Sequence, residues 1–520
     1  MYRVTLTLLA WVIASPALAD YTLTILHTND FHARFEPISK YDSTCRAEDN
    51  ADGKCFGGSA RLATAIEDAR SSSVNPVLLD GGDQFQGTLF YTYYKGQLTA
   101  EMMNRLGYDA MTVGNHEFDD GPEVLRGFMD AVDFPVLMSN ADVSREPSLA
   151  GVLRKSMVIE RGGEKLGLIG LTPENTAELS SPGENIEFGD PVAAVQSEVD
   201  RMTAEGITKI IVLSHSGYGV DLHVAQNTVG VDVIVGGHSN TYLSNIDPAA
   251  SGPYPTMVGD TAIVQAYAYG KFLGKVEVVF DDTGTIVSTA GEPLLMDAAV
   301  TEAADVKARI AEAAAPLDKI RNRVVAETAT GINGNRAQCR LRECEMGTLV
   351  ADAMLARVAN QGIEVAITNG GGLRASIDAG DVTMGEVLTV LPFQNTLSTF
   401  RITGAQLLDA LEHGVSEIGQ GDGRFPQVAG ARFKIDVTAP KGSRIKDLLV
   451  AGEPLDPDRL YSVVSNNFLR GGGDGYAIFK DAQDAYDFGP DVADVLAEYL
   501  AQNTPYAAFT DGRIDLIVNE

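Results

Sequence analysis

Five short apolar runs of this chain end in the same kind of polar corner, and that recurrence constrains the fold more than any other feature. Residues 110–113 run into Gly114-Asn115-His116-Glu117-Phe118-Asp119, and residues 21–26 into His27-Thr28-Asn29-Asp30-Phe31-His32. Residues 76–80 are followed by Gly81-Gly82-Asp83, residues 209–213 by Ser214-His215, and residues 231–235 by Gly236-Gly237-His238-Ser239-Asn240. Runs this short and this rich in Val, Ile and Leu read as strands buried on both faces. Helical spacing falls between them, over 58–70, 99–106 and 192–205, with a further strand at 165–171 and strand-like runs over 264–280. Strands alternating with helices define an α/β fold. Sheets of that kind place their chemistry beyond the strand ends. Gly114 is expected to let its backbone turn, because glycine tolerates dihedrals that other residues avoid.

At 520 residues the chain exceeds one ordinary core and predicts two domains or more. An apolar content of 45% supplies real cores. Residues 301–321 change character: they are rich in Ala, Glu, Lys and Arg, with Val306, Ile310 and Ile320 sparsely spaced. That segment reads as a bridging helix, kinked or broken at Pro316. The expected division is a first domain over 20–300, a joining helix over 301–322 and a second domain over 323–520. The second domain carries helical signals at 347–358, 404–414 and 492–500, and strand signals at 363–368 and 460–465.

Charge is lopsided, with 40 basic against 71 acidic residues and a net of −31. That excludes a general affinity for nucleic acid or anionic membrane. An anionic substrate must then be met by local cations or metal ions. Arg3, an apolar run over 6–15 and Ala17-Leu18-Ala19 read as a secretory signal over 1–19, cleaved before Asp20. The run is shorter than the roughly 20 residues a bilayer needs. Residues 511–520 lack the apolar tail of a lipid-anchored protein. The expected address is therefore periplasmic or secreted, with no membrane anchor. Four cysteines allow three pairings. Short loops close most cheaply, so Cys45–Cys55 and Cys339–Cys344 are the expected disulfides, in an oxidising compartment. A zinc site made of all four thiolates lacks the usual close ligand spacing.

Collected, the corners hold Asp30, His32, Asp83, Asn115, His116, His215, His238 and Asn240. Of the seven histidines in the chain, four lie in these corners and His27 leads into the first, which is too many for solvated loop residues. Mixed carboxylate, imidazole and amide donors suit zinc, manganese or another divalent first-row ion. There are donors enough for two ions, and Asp83 is the candidate to bridge them. In the second domain Asn369-Gly370-Gly371-Gly372-Leu373-Arg374 follows a strand. Its glycine amides, those of Gly371 and Gly372 included, can approach a ligand, and Arg374 can pair with an anion. Phe393, after Leu391-Pro392, and Phe468, ahead of Gly471-Gly472-Gly473-Asp474-Gly475, offer two aromatic faces. Taken singly, each phenylalanine reads as core and the glycine triplet as a turn.

The ordered set Asp30-x-His32, Gly82-Asp83, Gly114-Asn115-His116-Glu117, His215 and Gly237-His238 resembles the calcineurin-like metallophosphoesterase pattern. The longer strings over 27–34, 81–88 and 236–241 resemble the secreted 5'-nucleotidase family, nearest its ecto-5'-nucleotidase branch, as does Tyr108-Asp109-Ala110-Met111. This resemblance covers essentially the whole mature chain. It implies a β-sandwich flanked by helices and an α/β substrate-binding domain, joined by a long helix. It implies that Asp30, His32, Asp83 and Asn240 hold one metal ion, and Asp83, Asn115, His215 and His238 the other. His116 would be catalytic rather than a ligand, oriented by Asp119. Phe393 and Phe468 would sandwich the base, and Asp474 would bind the ribose hydroxyls. Arg340, Asn369 and Arg374 would grip phosphate, ribose or base, with the Cys339–Cys344 loop holding Arg340. The implied activity is hydrolysis of nucleoside 5'-monophosphates such as AMP, with domain rotation about a hinge near 301–321. UDP-sugars, dinucleotides and 2',3'-cyclic nucleotides are neighbouring substrates, and a two-lobed nucleotide-binding protein is the reading from another class. Gln394-Asn395-Thr396 stand where the animal enzyme has small glycines, which implies a different pocket rim.

Overall fold

The strand runs of the first half assemble into two facing sheets. The computed structural model describes residues 20–40, 42, 44–487 and 489–517, so the expected signal over 1–19 lies outside the described residues. In the first sheet Tyr21–Thr28, Pro76–Asp80, Ala110–Thr112 and Val136–Leu137 pair in parallel. Phe272–Phe280 runs antiparallel beside Tyr21–Thr28 and carries Ile286–Gly291 at the edge. The second sheet has the order Thr256–Val258, Thr261–Val264, Val233–Val235, Ile210–Ser214, Glu164–Leu171, Ser156–Arg161. Its four inner strands are parallel.

Burial explains the layering. Leu23 and Ile25 turn inward to meet Leu166, Leu168, Ile211 and Leu213 of the other sheet. Leu26, from the same strand, turns outward onto the helices Ser59–Ser72, Gly96–Leu106 and Pro122–Ala131. Across the sandwich Ile210 and Val212 face Pro191–Ala204 and Tyr218–Asn227. Each inner strand is therefore covered on both faces, which is why its sequence is a continuous apolar run. Truncating one of these buried side chains to alanine costs about 2–5 kcal/mol. The C-terminal ends of the parallel strands gather at one edge, where His215 Nδ1 of the second sheet meets Gly81 O of the first at 2.6 Å.

The second half forms a five-stranded sheet in the order Pro426–Ala429, Val365–Asn369, Leu460–Asn466, Leu397–Thr403, Gln483–Tyr486. Glu345–Arg357 and Val492–Gln502 cover one face and Gly404–Gly414 the other. A capping box between Thr403 and Gln406 starts Gly404–Gly414 where the spacing predicts it. The joining segment corrects one expectation. It is two helices, Ala304–Ala314 and Asp318–Arg321, and not one long helix. Pro316 lies in the break between them, as the missing N–H of proline requires. Val306, Ile310, Ala313 and Leu317 are buried in the core of the first half, so the first of these helices belongs to that packing. Arg321 ends the segment in an ion pair with Glu36. Cys45 is bonded to Cys55 and Cys339 to Cys344, the two local pairs expected. No helix among the described residues is long and apolar enough to cross a membrane.

Candidate active site

The corner residues converge at the shared edge of the two sheets, around Asp83. Its Oδ2 lies 2.9 Å from His215 Nε2, 3.8 Å from His32 Nε2 and 4.0 Å from His116 Nε2. Two donor groups result, His32–Asp83–His116 and Asp83–His215–His238, each with its ligand atoms within 4.8 Å of one another. Asp83 is common to both. Asp30, His32, Asp83, His238 and Asn240 all have φ between 50° and 67°, in the left-handed region. Each such residue costs about 1–3 kcal/mol, and Asp, Asn and His visit that region most readily among residues with a Cβ. Gly114 acts differently from the expectation: its φ is not left-handed, but a Cβ there would lie 2.3 Å from Asp83 Oδ1. Close approach to the carboxylate, not freedom to turn, demands glycine at 114.

The donors fit a divalent cation. Asp30 Oδ1, Asn115 Oδ1 and Asn240 Oδ1 are buried without a hydrogen-bond partner. Their companion atoms are held. Asp30 Oδ2 accepts from Asn29 Nδ2 and from the His238 N–H, both at 2.9 Å. The Nδ1–H of His215 donates to Gly81 O, and that of His32 to Phe85 O at 3.0 Å. These bonds fix Nδ1 as a protonated nitrogen in both rings and turn Nε2 inward. Buried acceptors facing one another are costly unless a cation lies among them. Burial opposes charge on His215, but Asp83 and Asp30 push its pKa up to about 10. A divalent ion would displace that proton.

His116 opens the short helix His116–Phe118. Its Nδ1–H donates to Asp119 Oδ2 at 2.7 Å and its backbone N–H to Asp83 Oδ1 at 2.9 Å. Burial opposes protonation of this ring, yet the Asp119 and Asp83 carboxylates raise its pKa above the usual value. Glu117 is a residue whose part sequence reasoning missed. Its carboxylate accepts from the backbone N–H groups of Asp83, Gln84, Phe85 and Gly114, at 2.6 to 3.1 Å. One acid thus ties two corners together. Its signal was a charged residue beside an apolar strand.

A cleft of about 1450 Å³ separates these residues from the second domain, with His116, Asp119, His238 and Asn240 on one wall. Arg340, Asn369, Arg374, Phe393, Phe468 and Asp474 line the other. Arg374 Nη2 donates to His32 Nε2 at 2.9 Å. Phe393 stacks on His116, with centroids 5.5 Å apart and planes at 20°, and the Arg374 guanidinium lies 5.6 Å from the Phe393 ring centre. Arg340 is buried, donates from Nη1 to Gly421 O at 3.0 Å and leaves Nε without a partner. Asn369 Nδ2 donates to Asp474 Oδ2 at 2.6 Å, while burial still pushes the Asp474 carboxyl up to about 6. Phe468 packs against Gly473, where a Cβ would meet its ring at 2.5 Å.

The glycine triplet departs from expectation. The amides of Gly370 and Gly371 are spent on Phe425 O and Gly423 O. A Cβ would lie 2.2 Å from Cys339 O at Gly370, 2.9 Å from Gly423 Cα at Gly371 and 3.0 Å from Asn369 Oδ1 at Gly372. The triplet therefore lets neighbouring backbone pack closely. Two further residues escaped sequence reasoning. Arg336 Nη2 donates to His238 O at 2.8 Å across the cleft, and Ser180 Oγ donates to Asp119 Oδ1 at 2.6 Å. Neither stands in a strand-end corner.

The calcineurin-like phosphoesterase family matches residues 23–242, the stretch that carries every candidate metal ligand described above and most strands of the sandwich. The protein is accordingly a metal-dependent phosphoester hydrolase. The other half narrows this, because residues 324–481 match the 5'-nucleotidase C-terminal domain. The 5'-nucleotidase of Bos taurus is 38% identical over 529 residues, spanning 96% of this chain and 92% of that protein. The crystal structure of a 5'-nucleotidase precursor from Thermus thermophilus superposes with a TM-score of 0.92 at 41% identity, covering 96% of this chain and 100% of that one. A structure of the NAD nucleotidase of Haemophilus influenzae aligns with a TM-score of 0.58 at 25% identity, over 96% and 99% of the two chains. The chain belongs to the 5'-nucleotidase family.

Proposed function

We propose that the protein is an exported two-metal hydrolase that removes phosphate from nucleoside 5'-monophosphates such as AMP. The observation that carries this reading is the set of orphaned buried acceptors at one wall of a cleft whose other wall offers arginines, aromatic rings and a carboxylate. Asp30, His32, Asp83 and Asn240 would hold one divalent ion, zinc or manganese, and Asp83, Asn115, His215 and His238 a second. Such ions polarise a phosphoryl group and activate water for in-line attack. His116, held through Nδ1 by Asp119, presents Nε2 to the phosphate and donates as charge develops. Arg374 and Arg340 meet the phosphate side of the substrate. Phe393 and Phe468 offer faces to the base, and Asp474 with Asn369 bonds the ribose hydroxyls. The leader-like residues 1–19 and the two disulfides support export to an oxidising compartment.

A second substrate reading is favoured by Arg336, a further cation on the cleft wall. It would suit a diphosphate-linked substrate such as a sugar nucleotide or a dinucleotide. The test is hydrolysis of AMP, UDP-glucose, NAD and a 2',3'-cyclic nucleotide, first with chelator and then with manganese or zinc restored. Turnover of AMP that chelation abolishes and metal restores is the expected result. Preference for UDP-glucose or NAD would keep the chemistry and move the substrate. Bound nucleotide with no turnover would overturn the reading in favour of a binding protein.

A further inference from the structure

We propose that Ser180 is a positioning residue for hydrolysis: its hydroxyl fixes the Asp119 carboxylate, and through it the ring of His116. The proposal rests on the roles given above to His116 and Asp119. The carboxylate torsion of an aspartate is soft, so one hydrogen bond does not set its plane. Here each oxygen has its own donor. His116 Nδ1 reaches Oδ2 at 2.7 Å and Ser180 Oγ reaches Oδ1 at 2.6 Å, both short as bonds to an anion are. The imidazole can then turn only by breaking a two-point anchor.

Ser180 is itself held. It follows the short helix Thr176–Leu179, and its N–H donates to Thr176 O at 3.0 Å. Thr176 is buried and its Oγ1 donates to Pro173 O at 2.7 Å. A serine at a helix end would ordinarily serve the local backbone. This hydroxyl instead reaches a carboxylate 61 positions earlier. The same short helix packs against Gly473–Gly475 of the second domain, the turn that carries Asp474. Glu178 Oε2 lies 3.3 Å from where a Gly475 Cβ would stand. Seating of that turn therefore keeps Ser180 in register with Asp119, so the wall that reads the sugar also braces the histidine on the opposite wall.

The test uses the full-length, metal-loaded enzyme with AMP and with p-nitrophenyl phosphate, an ester too small to need the second domain. Ser180→Ala is expected to lower kcat about tenfold on both esters, the effect of losing one bond to a charged group, with KM moved less than about twofold. Ser180→Thr keeps the hydroxyl and should retain most of the activity. In an Asp119→Ala background, Ser180→Ala should add no further loss, because the carboxylate through which it acts is gone. Metal content and thermal midpoint should match those of the parent. Ser180→Cys, with its weak S–H donor, should give an intermediate loss and serves in place of Ser180→Ala if that variant does not fold. Three results would overturn the proposal: an unchanged kcat, a loss confined to KM for AMP, or the same factor persisting with Asp119→Ala. Absence of turnover of either ester by the metal-loaded parent would instead defeat the hydrolase reading itself, and this proposal with it.

Discussion

The two walls of the cleft are built in opposite ways. On the first, each candidate ligand stands at a strand end and is held by bonds from neighbouring corners of the same domain. Asp30 is held by Asn29 and by the His238 amide, and Asp83 by the corner that Glu117 ties down. On the second wall, three residues proposed to meet the substrate are engaged with the first wall. Arg374 bonds His32, Phe393 stacks on His116, and Arg336 bonds His238. The candidate metal ligands are held mostly within one domain, whereas Arg374, Phe393 and Arg336 take their places from the relation between the two. Loss on the first wall should therefore remove chemistry, and loss on the second should weaken binding.

The strongest way to break that contrast is at Asp83. Asp83→Ala should lose bound metal and about a thousandfold or more of the AMP turnover, because one carboxylate serves both donor groups. His116→Ala should lose a comparable factor while elemental analysis finds the metal retained. Two ions still bound to Asp83→Ala would refute the bridge. A smaller effect belongs to the second wall. Phe468→Ala should raise KM for AMP by roughly tenfold, the size of one aromatic contact, and leave p-nitrophenyl phosphate unaffected. An equal loss on both esters would make Phe468 a structural residue.

An effect on stability rather than on turnover concerns the strand beneath the first corner. His27 is buried, its Nε2 lies 2.8 Å from the Tyr254 hydroxyl, and burial lowers its pKa to about 3. The folded value lies below the unfolded one, so between about pH 6.5 and 3 the unfolded chain binds a proton that the native chain does not. Stability should fall with pH across that window by about 1.4 kcal/mol per unit from this residue. His27→Gln should flatten the dependence of the denaturation midpoint on pH. A slope identical to that of the parent would remove His27 as its source.

Much of the first wall was legible because its signals are local. A continuous apolar run means a strand covered on both faces, and a polar corner after it means an exposed strand end. The helix at 404–414 was equally readable from its spacing and cap. The division of those runs between two sheets was not legible in them, though the family likeness implied a sandwich, because a run such as 209–213 does not say which sheet it joins. Glycines were misjudged for the same reason. Gly114, Gly370 and Gly371 answer to Asp83, Cys339 and Gly423, which are remote in sequence. Ser180 and Arg336 left no trace, since their partners stand 61 and 98 positions away.

The contact between Arg374 and His32 carries one more consequence. It uses Nε2, the nitrogen whose tautomer leaves it free to bind a cation, and one lone pair cannot serve both partners. Arg374 belongs to the second domain, so an ion bound at His32 would compete with a contact that joins the two domains. The metal site and the seam between the domains thus share one nitrogen.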